Sequence, residues 1–372
     1  MKQVIVIKLE PSEAQRHSLL KTVEAFNRGC QYVADAAYEK RLANKIALQP
    51  LVYGTLRCEY GLSSQMAIRA IAKAVEAYKR DKRIHVKIDL HGAMVYDPRI
   101  MSFKGLTHVS LICLRPDGAG TSGRELIPMR FGAYQAARID RAKGQADLVL
   151  KNGVFYLYLT IDLPTPPPID PTGGVLGIDL GITEIASDSE GNQYSGSIVK
   201  AVRQRVRQHR RQLQKKRTRS AYKRLQKTRR RQSRFVRDTN HVISKELVGR
   251  AVSLQKALAL EDLSGIRERA SVFSRQMRWL LGNWAFDQLK MFLAYKAEAA
   301  GIPVVFVDPR NTSRTCHECG HCAKENRKSQ AKFLCLKCGL CANADKNAAK
   351  NIEARGAQSN ALMFRSSLTS LA

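Results

Sequence analysis

The sequence predicts a multidomain α+β chain: an N-terminal β-barrel with a helical insertion, then an α/β domain carrying an inserted cysteine ribbon. Three observations lead there. Residues 3 to 9 alternate as a strand does, yet comparable runs return only after residue 84; a Pro-rich stretch, Leu163-Pro-Thr-Pro-Pro-Pro168, divides the 372-residue chain; and beyond it strands and helices alternate until two CxxC knuckles intervene. The boundaries that follow are 1–10 and 84–163 for the barrel, 11–83 for the helical insertion and 164–170 for the linker. The α/β domain takes 171–310 and 343–356, the ribbon 311–342, and a polar tail over 357–372 is expected to be disordered.

After the first strand, Pro11-Ser-Glu opens a helix whose apolar face includes Leu19, Val23, Phe26, Cys30 and Val33. A second helix begins near Ser63 or Ser64 and runs to Arg80, turning Met66, Ile68, Ile71, Val75 and Tyr78 to a core. Its other face keeps Gln65, Arg69, Lys73 and Lys79, which form either an ordinary polar surface or a contact with nucleic acid. Alternating runs then follow at Val86 to Leu90, Val109 to Leu114 and Val154 to Ile161, separated by Gly, Pro and Asp, as in a small barrel. A lone first strand cannot be stable, so it is expected to pair with these later ones.

Past the linker, Val175-Leu-Gly-Ile-Asp179-Leu-Gly-Ile182 reads as a buried strand interrupted by an acid and glycines. Strand-like pieces at 184–187 and 193–194 come next, then a long basic helical region, an apolar strand from Lys256 to Leu263, a helix from about Met277 to Ala299, and the strand Val304 to Val307. With the last helix, the order βββ-α-β-α-β-α is that of a ribonuclease H-like domain.

The formal charge of +31 would repel itself strongly without a polyanion, so nucleic acid is the expected partner. The excess is concentrated. Residues 200 to 237 hold eighteen Lys or Arg and no acid, and without them the charge falls to +13. Rich in helix formers and free of Pro and Gly, this stretch predicts a long helix or helical hairpin whose Arg203, Arg207 and Arg210 bind phosphates. Its apolar residues, among them Val202, Val206, Leu213, Tyr222 and Val236, make only a thin stripe. The apolar run at the N-terminus is too short and too early charged for a signal peptide, and no span reaches membrane length, so a reducing cytoplasmic, nucleoid-associated setting is expected.

Cys316-His-Glu-Cys319-Gly and Cys335-Leu-Lys-Cys338-Gly are separated by fifteen residues. Each knuckle aims two thiolates at one point, and four sulfurs suit one structural, tetrahedral Zn²⁺. Cys322 and Cys341 each follow a knuckle by three residues, so six thiols and His321 compete for four positions; only Cys319 and Cys338 precede glycine, which favours the set 316, 319, 335 and 338. An iron–sulfur cluster and disulfides are the rival readings. Cys30, Cys58 and Cys113 are scattered and read as buried apolar residues.

Asp179 stands in an otherwise apolar strand between Gly177 and Gly181, where backbone must approach something closely. Glu261 closes the next apolar strand and competes with adjacent Asp262, and Asp345 starts a helix of small residues, as an N-cap or as a functional acid. Three acids brought together cannot all stay ionised without cations, and hard oxygen ligands suit two Mg²⁺ or Mn²⁺ ions in phosphodiester hydrolysis. Asp308, before Pro309, reads as a turn residue.

Taken together, Gly177-Ile-Asp179-Leu-Gly181, Leu260-Glu261-Asp262-Leu263, Thr312-Ser313-Arg314-Thr315-Cys316 with the knuckles, and Asp345-Lys-Asn-Ala-Ala-Lys-Asn-Ile352 resemble the TnpB family of RNA-guided endonucleases from insertion sequences, and more distantly the type V CRISPR nucleases. The motifs span residues 175 to 355. The resemblance implies a wedge barrel with a recognition insertion, then a RuvC-type nuclease whose triad is Asp179, Glu261 and Asp345, with Glu261 preferred over Asp262. It implies a guide RNA on the basic surfaces, a target double-stranded DNA chosen through an RNA–DNA heteroduplex beside a short adjacent motif, and a monomeric ribonucleoprotein. Arg314 is then a candidate for the scissile strand, and Gln65 and Lys73 for the adjacent motif. The segment Leu340 to Ala344 departs from the family in lacking further acids before the last aspartate. The alternatives are a DNA transposase of the same fold class, acting without RNA, and an RNA-guided repressor that has lost cleavage; the intact acids speak against the second.

Overall fold

In a computed structural model, the protein is described over residues 2–114, 122–164, 166–263 and 286–369, and forms two compact units, Met1–Pro164 and Thr165–Ala372. The first part of the helix expected from Met277, residues 277–285, lies outside the described residues.

In the first unit, β1 (Lys2–Leu9) leads into α1 (Glu13–Glu39), where Ser12 and Gln15 close a reciprocal capping box. Helices α2 (Lys45–Cys58) and α3 (Ser64–Arg80) follow, and Leu19, Val23, Phe26, Met66 and Ile71 are buried among them. No helix is expected from the sequence over α2, which holds Pro50 inside it and is capped by Asn44. Cys58, at the end of α2, is exposed rather than buried.

The strands β2 (Met94–Tyr96), β3 (Met101–Lys104), β4 (His108–Leu114), β5 (Ser122–Arg130), a single helical turn α4 (Ala133–Ala136), β6 (Ala142–Lys151) and β7 (Val154–Asp162) complete the unit. They form a nearly closed seven-stranded sheet in the order β2-β6-β7-β1-β5-β4-β3. β1 pairs antiparallel with β7 on one side and β5 on the other, so the three helices are inserted after the first strand of the sheet. The strand expected over Val86 to Leu90 does not form. There the side chains of α1 take the place of a neighbouring strand: Asn27 donates to the Leu90 carbonyl at 3.1 Å, Gln31 donates to the Val86 carbonyl at 3.1 Å, and the Ile88 N–H donates back to Gln31 at 2.7 Å.

In the second unit, β8 (Val175–Asp179), β9 (Glu184–Asp188), β10 (Gln193–Ser195), β11 (Ala257–Glu261) and β12 (Val304–Val307) make a sheet in the order β10-β9-β8-β11-β12, with β8, β11 and β12 parallel. The basic stretch folds as a helical hairpin, α5 (Ser197–Lys216) and α6 (Arg219–Ser253), turned at Arg217 with φ of 51°. Leu176, Ile178, Leu258 and Leu260 pack against α6 and against α7 (Phe286–Ala299) on one face. On the other face Val175, Ala257, Ala259, Val305 and Val307 meet Ile352 of α8 (Ala344–Thr369). A β13–β14 hairpin (Lys332–Leu334 with Cys341–Asn343) precedes α8.

The tail expected to be disordered after Gly356 instead continues α8 to Thr369. Gly356 is no helix stop: a Cβ placed there would lie 2.5 Å from the Ala259 Cβ, so the glycine serves close packing of helix on sheet. Among the described residues no helix is long and apolar enough to cross a membrane.

Candidate active site

Strand alternation brings the acids to one face. Val175, Gly177 and Asp179 share the side of β8 that meets α8, and Ala257, Ala259 and Glu261 share that side of β11. The parallel register pairs Ala259 with Gly177 and Leu260 with Ile178, so Glu261 and Asp179 come next, at the carboxyl ends of neighbouring strands. Asp262 points the other way and meets Lys290 of α7 at 2.8 Å.

Helix α8 delivers the third acid. A Cβ at Gly177 would lie 2.1 Å from the Ala349 carbonyl oxygen, so the helix backbone rests directly on β8, and buried Ala344, Ala348 and Ala349 leave room for that approach. The Asn343 side chain caps the helix, accepting from the N–H groups of Asp345 at 2.9 Å and Lys346 at 3.1 Å. Asp345 is therefore spared the capping role and turns its carboxylate to the site, where Arg327 approaches it at 3.4 Å.

The electrostatics are those of crowded acids. Burial pushes Asp179 well above the usual carboxylate range, and the charges of Glu261 and Asp345 push it further, against the opposing pull of Arg327. Glu261, 7% exposed, is raised by burial despite a hydrogen bond from the Thr312 hydroxyl and the charges of Arg355 and Arg327. Asp345, 8% exposed, is raised by burial against Arg327. Glu184, at the start of β9, is raised by burial and by the charge of Asp345. A divalent cation would relieve this repulsion, and a set of carboxylate oxygens fits a hard ion such as Mg²⁺ or Mn²⁺.

The cysteines form a tighter centre. The Sγ atoms of Cys316, Cys319, Cys335 and Cys338 all lie within 4.8 Å of one another, and among the described residues this is the one such cluster of potential ligands. Gly320 and Gly339, with φ of +71° and +73°, donate to the carbonyls of Cys316 and Cys335 at 3.0 Å, which closes both knuckles alike. Burial acts to raise the Cys335 thiol, but the N–H groups of Cys338 and Lys337 and the nearby thiols outweigh it and bring the group down to about 6. Four thiols converging this closely fit Zn²⁺. Cys322 and Cys341 are exposed and stand outside the cluster, as does His321.

The predicted substrate-binding residues fare differently from one another. Arg314 is exposed beside the first knuckle, and Arg207 and Arg210 are exposed on α5. Arg203 is not: it is 7% exposed, its Nε is buried without a hydrogen-bond partner, and burial lowers its pKa. Of the α3 face that the sequence leaves for nucleic acid, Lys79 is exposed while Gln65, Arg69 and Lys73 are engaged within the unit. Lys73 donates to Asn27 Oδ1 at 2.7 Å and to the Ala93 carbonyl at 2.6 Å, while Gln65 and Arg69 both reach buried Asp97.

Sequence reasoning missed Thr312, Arg327, Asn347 and Asn351. Thr312 lies inside a quoted motif and the two asparagines stand four apart, a spacing that puts both on one helix face. Arg327 carries no such signal.

Comparison with known proteins finds relatives over both parts of the second unit. A family model described as "Cas12f1-like, TNB domain" matches residues 286–352, and one described as "Probable transposase" (OrfB_IS605) matches residues 158–264. The chain is 44% identical over 115 residues to the CRISPR-associated endodeoxyribonuclease Cas12f1 of Sulfoacidibacillus thermotolerans, covering 31% of this chain and 26% of that protein. It is 35% identical over 122 residues to the TnpB-like protein MJ0751 of Methanocaldococcus jannaschii, covering 33% and 43%. It is 32% identical over 220 residues to the "Putative RNA-guided DNA endonuclease InsQ" of Escherichia coli, covering 55% and 54%. The chain thus spans between about a quarter and about half the length of these curated relatives. Its fold resembles a cryo-EM structure of Cas12f1 with sgRNA and target DNA, with a TM-score of 0.63 and 16% identity over 91% of this chain and 81% of that one. The chain is related to the TnpB-like and Cas12f proteins.

Proposed function

We propose that this protein is an RNA-guided DNA endonuclease, a RuvC-like phosphodiester hydrolase of the TnpB kind. The observation that carries the reading is the convergence of Asp179, Glu261 and Asp345 on one face of the sheet, beneath a helix that small residues hold close. Relatives named as RNA-guided or CRISPR-associated endonucleases support it.

Asp179, Glu261 and Asp345 would hold two Mg²⁺ or Mn²⁺ ions, which supply Lewis-acid stabilisation and an activated water for in-line displacement at phosphorus. The burial that raises all three acids makes the charged site depend on cations. Arg327 balances the cluster's negative charge from its own side of the site. Exposed Arg314, at the mouth of the ribbon, meets the backbone of the strand to be cut.

The first unit takes the roles of wedge barrel and recognition helices, and the second those of nuclease and zinc ribbon. Arg207 and Arg210 bind the guide RNA or its heteroduplex through phosphates, and base pairing selects the target. A single carboxylate centre among the described residues would serve both DNA strands in turn. The protein then works as a monomeric ribonucleoprotein in the prokaryotic cytoplasm, near the nucleoid. A transposase acting without RNA is the second reading, favoured by the description of one matching family model. Purifying the protein with its bound RNA, sequencing that RNA and challenging the complex with complementary DNA separates the two. Cleavage only of the complementary target supports the nuclease, and element-end joining without RNA supports the transposase.

A further inference from the structure

The peptide from Thr312 to His317 joins three parts of the site that are distant in sequence. Its first residue, Thr312, is 3% exposed and directs its hydroxyl to Glu261 Oε1, a shorter contact than its alternative at the Pro309 carbonyl, 3.1 Å away. The backbone of the same peptide is gripped from α8. Asn351 donates to the carbonyls of Thr312 at 2.8 Å and Thr315 at 2.7 Å, and Asn347 donates to that of Thr315 at 2.8 Å. Asn347 Oδ1 accepts in turn from the His317 N–H at 3.2 Å, one residue past the first cysteine of the metal cluster. Both asparagines are buried, so these bonds have no competition from bulk water.

A glutamate has three side-chain torsions, and a buried carboxylate keeps one orientation only if something fixes it. Here one oxygen of Glu261 is fixed by a hydroxyl whose own backbone is fixed by the helix that begins with Asp345. The orientation of the Glu261 carboxylate is therefore tied, through one hydroxyl, to the stretch of helix from Asp345 to Asn351. Resting on the nuclease reading above, we propose that Thr312 is a positioning residue, aiming Glu261 at its cation-binding place, and that Asn347 and Asn351 set its position from the helix carrying Asp345. The ribbon and the helix thus place two carboxylates as one body. Neither asparagine touches a reacting atom.

The test compares Thr312→Val, which keeps the shape and removes the hydroxyl, with Thr312→Ser, which keeps the hydroxyl. Each full-length variant is purified with its RNA and measured for zinc content, target binding, cleavage rate and affinity for Mn²⁺ by electron paramagnetic resonance. Thr312→Val is expected to weaken Mn²⁺ binding and to slow cleavage by about tenfold or more, as losing such a supporting partner does. Its zinc content and target binding should match the parent, and Thr312→Ser should stay within about threefold of the parent in both affected quantities. Parental Mn²⁺ affinity in Thr312→Val, equal damage in Thr312→Ser, or loss of zinc in Thr312→Val would each overturn the proposal. If the parent protein cuts no DNA the nuclease reading fails, while the Mn²⁺ comparison still decides the role of Thr312.

Discussion

Gly177 lies directly beneath Ala349, so close that a Cβ on the glycine would stand 2.1 Å from the Ala349 carbonyl oxygen and 2.5 Å from the Glu353 nitrogen. Both of those atoms are helix backbone, which cannot swing aside as a side chain can. The contact sets how near Asp345 comes to Asp179.

Gly177→Ala must therefore push α8 away from β8. We expect a loss of about 1–3 kcal/mol of stability, typical of overpacking, together with loss of DNA cleavage. Thermal unfolding alongside a cleavage assay checks this; a variant that melts and cuts like the parent would show that the helix is free to shift.

Replacing Cys316 and Cys335 together by Ser should abolish bound zinc, because among the described residues only these two and Cys319 and Cys338 converge. Replacing Cys322 and Cys341 together should leave one zinc per chain. Metal content by mass spectrometry distinguishes the sets, and zinc lost in the second double variant would sink the assignment.

The raised acids make a prediction about pH. A carboxyl whose pKa is higher folded than unfolded binds its proton more tightly in the folded state, so stability falls as pH rises from about 4 through the folded value. Without divalent ions, Asp179→Asn should then raise the melting temperature at pH 7.5 by at least about 2–4 °C, the shift that 1 kcal/mol brings in a domain of this size. The gain should vanish below pH 4, where the parent carboxyl is protonated in both states. Added Mg²⁺ should stabilise the parent and not the variant.

Arg207 and Arg210 are exposed whereas Arg203 is buried, so the three should separate. Removing Arg207 and Arg210 together is expected to lower the slope of log affinity for RNA against log salt by roughly 1.4–1.8, as losing two phosphate contacts would. Arg203→Ala should change stability and leave the slope alone. A salt titration of RNA binding decides, with equal slopes in the parent and the double variant counting against a phosphate role.

Much of the fold was legible because it rests on short-range pattern. Alternation marked β1, β4 and β7, small residues and glycine marked where α8 would lie, and paired glycines after Cys319 and Cys338 marked the knuckles. What escaped depends on partners far along the chain. Val86 to Leu90 has a strand's composition, but Asn27 and Gln31 occupy its backbone groups. Lys73 lies on the polar face of its helix, yet Asn27 and the Ala93 carbonyl draw it inward, where burial lowers its pKa. Gly356 resembles a helix stop and is in fact a contact with Ala259. Periodicity around Glu261 and Asp262 left the choice of acid open, and the structure separates them: one faces α8 and the other Lys290.

Under the proposed function, Asp179, Glu261 and Asp345 cut DNA that a bound RNA selects. The most direct measurement incubates the purified ribonucleoprotein and its Asp179→Ala variant with Mg²⁺ and a duplex complementary to the bound RNA. The parent is expected to cleave both strands, while the variant binds the duplex with parental affinity and leaves it intact. Cleavage by the variant at the parental rate would contradict the proposed function.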